Sequence, residues 1–291
     1  MIRKTRIILE MIKVEHTIFA LPFAFMGAML GAVMMERRMP DWAEIGWILL
    51  AMVGARSAAM GLNRVVDRVI DAKNPRTAKR AIPAGLLKAG EVVVFIAVSF
   101  VVLFIAASQL DPICMKLMPV AVFLLVLYSY TKRFTWLCHV VLGLTIGLAP
   151  LGGWLAVAGH LNPGAWVLYG SVVFWLAGFD TIYACQDFEF DRREGVHSIP
   201  ARFGLAGGLQ LARAFHFLTA AGFISLYWLT DLSWLYLIGA IASVGFLGYQ
   251  HMLVKPNDIS RVQTAFFTMN SFLSVTLFAF TLLDLLVLHE W

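Results

Sequence analysis

The sequence predicts an all-α membrane protein in which nine helices cross the bilayer as a bundle. Three observations carry that expectation. Of 291 residues, 60% are apolar and 14% charged, against ~45 to 50% and ~25% in soluble domains. Apolar stretches approaching the ~20 residues a bilayer requires follow one another from end to end. The basic residues fall in alternate connections, as they do when each stretch crosses the bilayer. An ordinary soluble enzyme, a disordered chain and a disulfide scaffold are excluded, and residues 1–291 form one domain with no room for a separate soluble one.

The N-terminus carries Arg3, Lys4 and Arg6 and runs into the first span without a small-residue cleavage site, so a removed signal peptide is not expected. That span covers 17–35, with Glu15 and His16 at its start read as interfacial. The second covers 42–66 and holds Arg56 in its interior. The third, 92–110, precedes the shortest, 117–130, which contains Pro119. Merging that short span with its neighbour would reverse every later connection and destroy the charge alternation. Spans at 136–158, 165–184, 209–229, 232–252 and 265–288 complete the set. Trp42, Trp47, Trp136, Trp154 and Trp228 lie near span ends, where interfacial anchors belong.

Nineteen of the 23 lysines and arginines lie in the N-terminal tail, after the second, fourth, sixth and eighth spans or, as Arg64 and Arg213, in the span turns next to those connections, whereas the opposite side carries only Arg37, Arg38 and Lys116. Positive residues mark the cytoplasmic side. Cys114, Cys138 and Cys185 are far apart, lack metal or redox spacing and read as packing, as do the histidines beyond His16.

Two long connections on the basic side, about 67–91 and 186–208, form a cap and repeat one device. Asp67-x-x-x-Asp71 leads through basic residues to Ile82-Pro83-Ala84; Asp187-x-x-x-Asp191 leads through Arg192 and Arg193 to Ile199-Pro200-Ala201. Asn63, Asp67 and Asp71 recur every fourth residue, on one helical face, and Asp180, Tyr183, Asp187 and Asp191 share another. Two carboxylates ~6 Å apart at an effective dielectric of ~20 repel by roughly 3 kcal/mol, so such rows need a compensating cation. Asn and Asp oxygens without His or Cys suit Mg²⁺, which completes its shell with water and substrate phosphate.

Arg64, Arg68, Lys73, Arg76, Lys79 and Arg80, with Lys132, Arg133, Arg192, Arg193 and Arg202, could hold a diphosphate; Arg80 and the Lys132-Arg133 pair are the best placed. Arg56 lies seven residues before Asn63, two turns deeper on the same face. It either pairs with an acidic neighbour or awaits an anionic or polar substrate group. A single D-x-x-x-D is most often a solvated surface, but two copies at the ends of membrane helices are not. An ion-coupled transporter would place its charges near the midplane on broken helices. Here four of the five aspartates gather at one face.

Together, Asn63-Arg-Val-Val-Asp67-Arg-Val-Ile-Asp71-Ala-Lys-Asn-Pro-Arg-Thr, Lys79-Arg80-Ala-Ile-Pro-Ala-Gly85, Tyr128-Ser-Tyr-Thr-Lys132-Arg133 and Asp180-Thr-Ile-Tyr183-Ala-Cys-Gln-Asp187-Phe-Glu-Phe-Asp191 resemble the UbiA superfamily of intramembrane prenyltransferases. The resemblance spans essentially the whole chain. Lys13-Val-Glu-His-Thr-Ile-Phe-Ala-Leu-Pro-Phe-Ala looks like the bacterial 4-hydroxybenzoate polyprenyltransferase group. Ala81 and Ser129 depart from the family, which usually has proline at both positions; this changes loop stiffness more than chemistry.

The resemblance implies a bundle around a central cavity, with the two acidic motifs facing each other beneath the cap loops. Asn63, Asp67, Asp71, Asp187 and Asp191 would hold two Mg²⁺ ions and through them a polyprenyl diphosphate, which Arg80, Lys132 and Arg133 would clamp. Asp180 and Tyr183 would face the allylic carbon and the acceptor. Asp180 or Asp187 would remove the ring proton, and Arg56 would meet the carboxylate of an aromatic acid. The implied acceptor is 4-hydroxybenzoate or a dihydroxynaphthoate in ubiquinone or menaquinone biosynthesis. The implied setting is the bacterial inner membrane, with the N-terminus and cap cytoplasmic, no nucleic acid and no obligatory protein partner.

Overall fold

Lipid offers backbone groups no hydrogen-bond partners, so a chain this apolar must satisfy them within helices. The computed structural model describes residues 2–13 and 17–288, and among these there is no β-strand. Glu15 and His16 lie outside the described residues. Nine stretches of described helix are long and apolar enough to cross a membrane, in the order the sequence predicts.

The helices are α1 (Ile2–Met11), α2 (Thr17–Glu36), α3 (Trp42–Val66), α4 (Arg68–Lys73), α5 (Ala89–Ala107), α6 (Pro112–Thr131), α7 (Cys138–Ile146), α8 (Leu148–Ala158), α9 (Pro163–Ala184), α10 (Phe188–Glu194), α11 (Ile199–Leu229), α12 (Trp234–Leu253) and α13 (Asn270–Val287). Helices α7 and α8 make one crossing, joined at Gly147. A π-helical turn, Thr264–Met269, leads into α13. There the buried amide of Asn270 donates to the carbonyls of Phe266 at 2.7 Å and Ala265 at 3.3 Å, and its Oδ1 accepts from Trp175 Nε1 at 2.8 Å.

Several boundaries move outward for local reasons. The span expected at 117–130 is a full helix, because Asp111 accepts from the Ile113 N–H at 2.9 Å and Pro112 opens the first turn. Lys116 therefore lies within α6 and not in a connection. Glu91 accepts from the Lys88 N–H at 2.9 Å and starts α5 ahead of residue 92. Ser198 caps α11 ten residues before the expected start, and Gly204, at φ 75°, bends the helix there. Trp42 and Trp228 are exposed as anchors, but Trp154 is fully buried against α2 and belongs to the core. Helix α1 was not foreseen. Met11 and Ile12 are buried beneath it against Leu87, Val92 and Ile96, while Lys4 and Arg6 remain exposed.

The heart of the bundle is α9, packed against α7 and α11, with α2 against α8, α3 against α5, and α12 against α13. Trp154, Trp175, Phe23 and Phe223 fill the space between them. Helices α2 and α8 meet backbone to backbone: a Cβ at Gly27 would lie 2.0 Å from the Pro150 carbonyl oxygen, and one at Gly153 2.1 Å from that of Ala24. Such small-residue seams supply membrane helix packing in place of the hydrophobic effect. Gly153→Val should therefore abolish recovery of monodisperse protein in detergent. Gly152→Val, where nothing lies within 4 Å, should be recovered normally. Equal recovery of the two variants would refute the seam.

Candidate active site

Each acidic row runs through a break in its helix, so neither lies on one continuous helix as the spacing alone suggests. Helix α3 ends at Val66 and α4 begins at Arg68, with Asp67 between them. Helical bonds persist across this break: Asp67 N–H donates to Asn63 at 2.9 Å and Asp71 N–H to Asp67 at 2.8 Å. The four-residue stacking of the first row is thereby kept. In the second copy, a 3₁₀ turn, Cys185–Asp187, separates α9 from α10 and places Asp187 at the corresponding break.

A cavity of about 160 Å³ lies between the two breaks. Asn63 and Asp71 enter its wall from the first motif, and Asp180, Tyr183, Asp187 and Asp191 from the second. Arg76 and Arg80 come from the cap loop, and Lys132 from the end of α6. Of the residues proposed from sequence, Asp67, Arg64, Arg133 and Arg56 do not line it, nor do Arg68, Lys73, Lys79, Arg192, Arg193 and Arg202 from the basic set.

Every motif carboxylate has a partner. Asp71 accepts from Arg80 Nη1 at 2.7 and 2.8 Å. Asp187 is gripped by a fork from Arg76, at 2.8 and 2.5 Å, and by the Asn74 amide at 2.9 Å. Arg76 also donates to the Tyr183 hydroxyl at 3.0 Å and stacks 5.2 Å above its ring. The loop that follows the first motif thus reaches across to the second. Burial opposes the charge of Arg76, but its hydrogen bonds to Asp187 and the charge of that carboxylate outweigh it and hold the guanidinium above its ordinary value. Asp191 accepts from the Ser198 hydroxyl at 2.9 Å.

Asp67 is wholly buried behind the cavity, 2.5 Å from Lys132 Nζ and 3.1 Å from Arg133 Nη1, and accepts from the Asn63 amide at 2.8 Å. Arg133 is further fixed by the carbonyls of Ser129 and Val66, at 2.9 and 2.8 Å. Arg64 is buried toward α1, donating to Asn63 Oδ1 at 3.2 Å and to the Met11 carbonyl at 3.5 Å. Arg56 donates to the Lys13 carbonyl at 2.9 Å.

Sequence reasoning placed Arg76 among a crowd of basic residues and passed over Asn74, although both lie in the quoted Asn-Pro-Arg turn. It read His139 as packing; in fact Nδ1 of this ring lies 2.7 Å from Asp180 Oδ2 in the cavity wall. Nothing in the apolar run around Cys138 signals that pairing. Among the described residues, no three His, Cys, Asp or Glu side chains are grouped closely enough to hold a metal ion by themselves. The carboxylates point instead at guanidinium and ammonium groups.

A membrane-spanning helical bundle with paired acidic motifs and a basic cap at one end defines a class, the intramembrane prenyltransferases. The chain belongs to the UbiA prenyltransferase family, whose model matches residues 21–272. It is 35% identical over 252 residues to a 4-hydroxybenzoate solanesyltransferase of Synechocystis, covering 84% of each chain. The apo structure of a UbiA homologue from Aeropyrum pernix superposes with a TM-score of 0.84 at 31% identity, over 94% of this chain and 98% of that one. A UbiA homologue from Archaeoglobus fulgidus bound to DMAPP and Mg²⁺ shares the fold, with a TM-score of 0.73 at 16% identity, over 96% and 99%.

Proposed function

We propose that this chain moves a polyprenyl group from its diphosphate to a ring carbon of an aromatic acid, 4-hydroxybenzoate first, in quinone biosynthesis. In this reading the site faces the cytoplasm from a bacterial inner membrane, supported by the concentration of basic residues at that end. One observation carries the proposal: two D-x-x-x-D motifs from distant parts of the chain meet at one cavity, joined by Arg76.

The donor set fits a divalent magnesium ion, since Asn63, Asp71, Asp187 and Asp191 bring only hard oxygens to the cavity wall. Asp67 stands one shell behind. When bound there, magnesium would offset the charge of the diphosphate and ease departure of its oxygen. Arg76, Arg80 and Lys132 are the protein's own cations in that cavity, and Arg133 adjoins them. Each now leans on a carboxylate and would turn to the diphosphate oxygens as the substrate arrives.

The allylic C–O bond breaks with its electron pair leaving on the diphosphate, and a π pair of the acceptor ring forms the new C–C bond. The displaced ring proton passes to a carboxylate. Asp187 is placed among the magnesium donors and also accepts from Asn74, which favours Asp180. Behind Tyr183 stands Phe266, ring centres 4.2 Å apart, followed by Phe179 and Phe19. That wall excludes water, and its ring faces favour a passing carbocation. Arg56, two turns from Asn63 on α3, is proposed for the acceptor carboxylate, which would reach it beyond the cavity wall and displace its bond to the Lys13 carbonyl.

Membranes containing the chain, supplied with Mg²⁺, a polyprenyl diphosphate and a panel of phenolic acids, should yield a C-prenylated 4-hydroxybenzoate identifiable by mass. Excess chelator should suppress it. Product formed only with a dihydroxynaphthoate would move the acceptor to the menaquinone precursor. Undiminished turnover in chelator would refute the metal assignment.

A further inference from the structure

Among the groups in the cavity wall, the Asp180–His139 pair has a task that diphosphate binding does not absorb. His139 is 4% exposed and lines the cavity beside Tyr128 and Cys138. Its Nδ1 lies 2.7 Å from Asp180 Oδ2. A carboxylate only accepts, so Nδ1 carries a hydrogen, and in the neutral ring the lone pair is left on Nε2. That atom is buried and has no hydrogen-bond partner among the described residues. The neighbouring Cys138 thiol has a single hydrogen, and its Sγ lies 3.4 Å from the His197 carbonyl and 3.9 Å from that of Trp136. A buried, unserved acceptor in the wall of a binding cavity costs free energy until a ligand hydrogen reaches it.

We propose that His139, held by Asp180 as a positioning residue, reads the acceptor's ring hydroxyl: Nε2 accepts the O–H hydrogen of the aromatic substrate. The proposal rests on the aromatic prenyl transfer proposed above and adds a specificity determinant to it. Accepting that hydrogen fixes the rotation of the ring, so that the carbon next to the hydroxyl faces the allylic carbon. It also pushes electron density from oxygen into the ring that must attack. A substrate lacking the hydrogen leaves Nε2 unserved, and a site built to bond a hydroxyl rejects such an analogue by ~10⁴ or more.

The test compares 4-hydroxybenzoate with 4-methoxybenzoate in the full-length protein, with a dihydroxynaphthoate and its methyl ether as a second pair. Wild type should prefer each hydroxyl form strongly. His139→Leu should lower kcat/KM for the hydroxyl form by about 10² to 10³ and shrink the preference to within about tenfold, with the KM for polyprenyl diphosphate unchanged. His139→Gln, whose amide can donate to Asp180 and still offer an oxygen, should recover at least a tenth of wild-type turnover and most of the preference. Asp180→Asn, which also removes the proposed proton acceptor, should lower turnover as well as weaken the preference.

An unchanged hydroxyl preference in His139→Leu would overturn the proposal. So would a His139→Gln variant no better than His139→Leu, or a loss that appears equally in the donor KM, since either makes the residue structural. If wild type prenylates no member of either pair, the underlying aromatic transfer itself is wrong, an outcome visible before any variant is made.

Discussion

Asp187→Asn is expected to lower prenyl transfer by on the order of 10³-fold or more while the protein still extracts and melts like wild type in detergent. The substitution keeps the shape of the side chain and removes its charge. Asn74 can still bond the amide oxygen, so the cap has a reason to stay in place. What disappears is the anionic oxygen proposed for magnesium, together with the charge that holds Arg76 across the cavity. Asp71→Asn should behave alike, because Asp71 stands to Arg80 as Asp187 stands to Arg76. Turnover and thermal midpoint should be measured together. Near wild-type turnover in both variants would remove the metal and diphosphate assignment.

The second large effect falls on folding. Asp67→Ala should lose about 1 to 3 kcal/mol of stability, because removing this wholly buried carboxylate leaves the half-buried Lys132 and Arg133 without their shared anion. Asp67→Asn should cost less, since the amide still fills the space and retains an oxygen for Lys132. The measurement is the thermal midpoint of purified protein, with Lys132→Met added to Asp67→Ala. Removing one of the two stranded cations should restore part of the loss. A midpoint for Asp67→Ala equal to wild type would show that the buried ion group carries no weight.

The bundle was legible because lipid enforces it. Long apolar runs must be helical, and the alternation of basic residues counts the crossings, including the one interrupted by Pro119. That the two acidic motifs face each other was implied by the family resemblance and not by the spacing, which pairs Asp67 with Asp71 and Asp187 with Asp191 without saying where either pair points. Three features were not legible. Helix α1 is too short and too charged to read as a span, and Met11 and Ile12 are buried against the cap loop and α5. The Asp180–His139 bond joins residues 41 positions apart, and no periodicity encodes it. Arg76 looked like one more positive charge near the surface until the turn at Asn74 brought it over Asp187.

The glycine seam between α2 and α8 bears on how a long lipid tail enters. Where two main chains touch with no side chain between them, there is no cushion to compress and no groove to slide along. That pair therefore acts as a fixed pillar through the catalytic cycle. Whatever widens to admit the substrate must spare this seam and the comparably close approach of Gly143 on α7 to the Val173 carbonyl on α9, and use contacts that run through side chains able to change rotamer.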